Sequence, residues 1–124
     1  MLRDLLVVRV LESLADQTDP EVLQAAQGVE GCGGRAADLV KMLARRRGER
    51  ARDHVARIAE HSEEALQIHI ARQLCAVRDA VYLRPASRAR LIADAEQCLP
   101  FLERVPSRLR SALTQALELA RRAA

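Results

Sequence analysis

The sequence predicts an all-α fold, a compact bundle of about six or seven helices around a central helix that is apolar on two sides. Three observations carry that expectation. Apolar residues recur at three- and four-residue spacing along most of the chain, and helix start signals precede several of the stretches. The core-forming residues are Leu, Ile, Val and Ala, with Tyr82 and Phe101 the only aromatics and no Trp, a mixture that favours helices over sheets. The run Leu5 to Val8 has strand character, but no second candidate strand exists to pair with it.

The first helix covers residues 2–15, with Val7, Leu11 and Leu14 on its apolar stripe, widened by Leu6, Val8 and Val10, and with Arg9, Glu12, Ser13 and Asp16 on the wet side. Asp19-Pro20-Glu21 starts the second, over residues 20–27: Asp19 caps, Pro20 suits the first helical position, and Glu21 favours the positive helix end. Gly28, Gly31, Gly33 and Gly34 then make a flexible loop around Cys32, expected to be exposed. A third helix, residues 35–47, carries Leu39, Val40 and Leu43, with Gly48 as either a stop or a weak point inside a longer helix.

Ala51, Val55, Ile58 and Ala59 define a stretch ending at His61, after which Ser62 with Glu63 and Glu64 forms a cap and an acid-rich first turn. The long central helix over residues 63–82 has one stripe of Leu66, Ile70, Leu74, Val77 and Val81 and a second of Ile68, Ala71, Cys75 and Tyr82; His69, Arg72, Gln73 and Asp79 make its narrow polar strip. Arg84 to Ser87 reads as a turn with Ser87 the cap, Leu91, Ile92, Ala95, Cys98 and Leu99 line the next helix, and Pro100 kinks or breaks it. After Pro106, Leu109, Ala112, Leu113, Ala116, Leu117 and Ala120 form the cleanest stripe of all, with Glu118 spaced to pair with Arg122.

At 124 residues, 49% of them hydrophobic and 30% charged, the chain fits one domain spanning residues 1–124 and excludes collagen-like or wholly disordered classes. Lys41 is the only lysine among 20 basic residues, a bias that together with abundant Ala points to a GC-rich, bacterial genome. Residues 1–30 hold two Arg against six acids, a net −4, whereas the remainder holds 18 basic against 11 acidic residues, a net +7. Such asymmetry speaks to association rather than to fold. Three cysteines, an odd number, argue against a disulfide scaffold and for a reducing compartment. The apolar run before Arg9 is too short for a signal-peptide core or a bilayer span, so a cytoplasmic protein without membrane contact is expected.

No motif fixes a chemistry. His54, His61 and His69 lack converging partners for a metal and read as solvated surface residues. The glycine loop from Gly28 to Arg35 lacks the Lys-Ser/Thr of a phosphate cradle and reads as a linker, while Cys75 and Cys98 read as small core residues. No catalytic residue, cofactor or small-molecule substrate is inferred, and an enzyme is not expected. The leading expectation is a non-catalytic interaction module of the adaptor, chaperone or regulatory-subunit type, binding a protein partner or itself through apolar helix faces, with Val7, Leu11, Ile68, Cys75 and Tyr82 the candidate contacts. The alternative is a nucleic-acid-binding accessory protein that contacts phosphates through Arg45, Arg46, Arg47, Arg50 and Arg57, with Arg104, Arg108, Arg110, Arg121 and Arg122 extending the basic surface. Glu49 and Asp53 interrupt that cluster, Asp53 is spaced to pair with Arg57, and no aromatics stand by for base stacking.

Overall fold

In the computed structural model, which describes residues 2–28 and 34–123, the chain forms α1 (Leu2–Leu14), α2 (Pro20–Ala26), α3 (Gly34–Leu43), α4 (Ala51–His61), α5 (Glu63–Asp79), α6 (Pro85–Glu96) and α7 (Ser107–Arg122). Two 3₁₀ segments, Ala80–Tyr82 and Leu99–Arg104, follow α5 and α6, and no strand occurs among the described residues. Helix α5 packs against all six other α-helices, so the doubly apolar helix is the axis of an all-α bundle. One apolar cluster links them, built on α5 from Leu66, Ile68, Ile70 and Leu74, met by Leu11, Val22, Leu39, Ile58, Ile92 and Leu113 from the surrounding helices.

Local chemistry sets most of the boundaries. Asp19 accepts a hydrogen bond from Glu21 N at 3.0 Å and opens α2 with Pro20 in its first turn. Ser62 closes α4 in extended backbone and opens α5, its hydroxyl accepting from Ala65 N at 3.1 Å. At the end of α1, Asp16 adopts a left-handed φ of +50°, and Gln17 N reaches back six residues to Leu11 O at 3.0 Å, a Schellman-type stop. Helix α6 starts at Pro85 itself rather than after Ser87, because the fixed φ of proline suits the first helical position.

The largest departure from the sequence reading is at the end of α3, which stops at Leu43 instead of running on to Arg47 or through Gly48. Gly48 takes a φ of +78°, and Glu49 N donates back to Arg46 O at 3.0 Å to close a turn. Arg57, more than a helical turn into α4, donates to Met42 O at 3.1 Å and to Ala44 O at 2.8 Å, satisfying carbonyls that the helix end leaves without partners.

That arrangement recurs through the fold and accounts for much of the arginine content. Arg72 on α5 approaches Ala25 O and Ala26 O at the end of α2, at 3.5 Å each. Arg104 donates to Ala59 O near the end of α4 at 2.7 Å, and Arg108 to Ser13 O in the last turn of α1 at 3.2 Å. Arg88 spans Leu83 O and Ala123 O, and Arg110 takes Leu102 O and Val105 O. Each guanidinium brings several donors and a full charge to the negative end of a helix or turn, joining elements distant in sequence.

Candidate functional site

Four of the five apolar residues expected to contact a partner are core. Val7, Leu11, Ile68 and Cys75 are buried within the chain, because α5 is wrapped on both of its stripes along most of its length and α1 turns Val7 and Leu11 inward onto it. Tyr82 alone of that set faces solvent, at 87% exposure. The other exposed large apolar residues are Leu5 and Leu6 on α1, Val81 and Leu83 at and beyond the end of α5, Leu99 just after α6, and Leu119 on α7, which is 63% exposed.

Leu6, Val81 and Leu119 border concave surface. A groove of about 390 Å³ runs between α1 and α5, with Leu6, Val10, Leu14 and Cys75 as its apolar lining and Arg9, Ser13, Arg78 and Asp79 at its edges. A smaller hollow of about 160 Å³ lies between the end of α5 and α7, lined by Val77, Val81, Ala116, Leu119 and Ala120 together with Arg78. A third depression shares Leu14 and Arg78 with the groove and adds Arg108, Ser111 and Gln115. Arg78 therefore stands where all three meet.

The arginine cluster is not a uniform basic surface. Arg57 turns inward and binds Glu49 with two nitrogens, Nε to Oε2 at 2.9 Å and Nη2 to Oε1 at 3.0 Å, so it is unavailable as an outward contact. That fork, with Arg46 N donating to the same carboxylate, holds Glu49 down to a pKa of about 2. The pairing of Arg57 with Asp53 does not form, and Asp53 instead lies 3.9 Å from Arg52. Arg45 donates to Glu49 O at 2.9 Å, leaving Arg46, Arg47 and Arg50 displayed on a braced turn. Of the arginines expected to extend this surface, Arg104, Arg108 and Arg110 hold backbone carbonyls and Arg121 pairs with Glu96 at 2.7 Å. Glu118, expected to pair with Arg122, forms no ion pair among the described residues.

His54 and His69 are buried rather than solvated, their rings meeting edge to face with centroids 5.0 Å apart. His54 Nε2 lies 2.9 Å from Leu43 O; a carbonyl only accepts, so this nitrogen carries the proton. Burial pushes both rings down, His69 to about 3, with the neighbouring His54 and Arg72 charges adding to the effect. The signal was present in the spacing, since His54 precedes Ile58 by four residues and His69 follows Leu66 by three, each sharing a face with core positions. Among the described residues no group of three or more His, Cys, Asp or Glu is placed to hold a metal ion. Residues 29–33, which include Cys32 and most of the glycine loop, lie outside the described residues.

Among the described residues the fold is an all-α bundle, with exposed apolar side chains bordering concavities at the α1/α5/α7 end. No protein-family model, curated protein or solved structure gives a significant match to the chain. No helix among the described residues is long and apolar enough to cross a membrane.

Proposed function

We propose that the chain is a non-catalytic helical interaction module that binds another protein through the face formed by α1, the end of α5 and α7. The observation that supports this reading is the grouping of Leu6, Val81 and Leu119 around adjoining concavities, in a chain whose other α5 surfaces are covered. Apolar side chains clustered at a groove, rather than scattered singly, mark the surfaces proteins use for recognition. A Cys98 thiol pushed up to about 12 by burial, with the nearby Asp94 charge adding to it, accords with an inert core cysteine.

A photo-crosslinking amino acid at position 6 or 119, introduced into the cells that make the protein, tests the proposal. The expected result is a discrete protein adduct from both positions, lost when Val81 is replaced by Asp, and no adduct from position 47. The second reading, binding of nucleic acid, draws on the braced turn that displays Arg46, Arg47 and Arg50. Ultraviolet crosslinking of nucleic acid at position 47, with no protein adduct at 6 or 119, would establish it in place of the first. The inward turn of Arg57 and the carbonyl contacts of Arg104, Arg108 and Arg110 weigh against it, since they draw on the basic surface that phosphate contact requires.

A further inference from the structure

We infer that the α1/α5/α7 face receives an amphipathic helix with acidic flanks, supplied by a different protein and not by a second copy of this chain; this rests on the interaction-module reading above. Shape and polarity make the first part of the case. Leu6, Val10 and Leu14 follow one another at four-residue intervals along the groove, so its α1 wall runs for about 12 Å, two helical turns. A helix laid there would bury an apolar stripe with anchors at i, i+3 or i+4, and i+7. Strand addition has no template, because no sheet edge exists among the described residues.

Charge complementarity selects the flanks. Arg9 and Arg78 border the groove, both exposed, and neither forms an ion pair among the described residues. Arg108 stands at the adjoining depression, although one of its nitrogens holds Ser13 O. Asp79 is the one carboxylate among the described residues lining the groove and is already engaged within the chain, while Glu12 shares with Leu5, Leu6, Val8 and Arg9 a separate hollow on α1, and forms no ion pair with Arg9. An incoming helix with Glu or Asp beside its apolar stripe meets two cations that lack carboxylate partners; one flanked by Lys or Arg meets repulsion.

The same geometry disfavours self-pairing. Arg78 lies at the junction of the three concavities, so a two-fold axis passing through that junction would bring Arg78 against its own copy. Like charges opposed at the centre of an interface oppose association, and the open apolar face then stays available for a partner of opposite sign.

The test uses the whole chain and two synthetic helical peptides of about 18 residues with the same leucine stripe, one flanked by Glu and the other by Lys. Fluorescence anisotropy reads their affinities, and sedimentation velocity reads the state of the protein. The expected result is a monomer that binds the Glu peptide at least about tenfold more tightly than the Lys peptide, with the preference weakening as salt rises. Arg9→Glu with Arg78→Glu should reverse the preference, and Leu6→Asp should weaken both peptides, with circular dichroism and urea midpoints confirming that each variant folds. Equal affinity for the two peptides overturns the acidic flank while leaving the groove as a docking site. Self-association abolished by Leu6→Asp overturns the choice of a foreign partner. A monomer that binds neither peptide at about 1 mM overturns the interaction reading itself.

Discussion

The two ends of α5 contrast, although both carry apolar residues on opposite sides. From Ala65 to Ala71 nearly every side chain is buried, and even His69 is enclosed beside His54. Beyond Cys75 the coverage thins: Arg78 is exposed, and Val81, Tyr82 and Leu83 face solvent, Val81 sharing a hollow with Leu119. A doubly apolar helix therefore does not by itself announce a binding surface; what matters is where the surrounding helices run out. The α1/α5/α7 end is the place where they do.

That contrast predicts a graded response to substitution. At the wrapped end, Leu66→Ala should cost roughly 2–5 kcal/mol in urea unfolding, since a fully buried leucine loses its contacts and leaves a cavity. Loss of only a few tenths would mean that this end is loosely packed and the contrast false. Next comes acid. His69 stays neutral in the fold down to about pH 3, against 6.5 for an ordinary histidine, so the unfolded chain takes up this proton first. Stability present above pH 6.5 should fall as pH drops towards 3, by up to about 1.4 kcal/mol per pH unit from this group. Glu49, held at about 2 against 4.5, acts in the same direction: its contribution is present above pH 4.5 and is lost as pH falls through about 2. Urea midpoints across this range should drop, and His69→Leu should flatten the part between 6.5 and 3; an unchanged slope would contradict the buried, neutral imidazole.

Smaller effects should follow at the braced turn. Gly48→Ala places a β-carbon in open space but at a φ of +78°, so about 1 kcal/mol of strain is expected in thermal or urea melts, with no packing defect. At the open end, Leu119→Asp should change stability by less than about 0.5 kcal/mol, since the side chain is 63% exposed. A loss comparable to that of Leu66→Ala would show Leu119 to be core and erase the difference between the ends.

What could be read from the sequence was what neighbouring residues decide. The Asp19 and Ser62 caps, the span of α4 and the apolar stripe of α7 follow from local propensity, capping and periodicity. The stop at Leu43 was not legible, because it depends on Arg57 reaching back across the turn and on Glu49 folding against it. Likewise, periodicity marked α5 and α1 as apolar on more than one side but could not say which stripe the other helices cover, so Val7, Leu11, Ile68 and Cys75 were expected at the surface and the exposed Leu6, Val81 and Leu119 were not singled out. The count of arginines was plain, yet their use as caps on distant helix ends needs the tertiary arrangement.

The open end of α5 is the place proposed for partner docking. Hydrogen–deuterium exchange of the chain, alone and saturated with the Glu-flanked peptide, tests it most directly. Protection should be confined to α1 from Leu6 to Leu14, the segment from Cys75 to Leu83, and the end of α7 around Leu119, with the turn from Arg45 to Arg50 unchanged. Protection centred on that arginine turn, or spread evenly over the molecule, would contradict it.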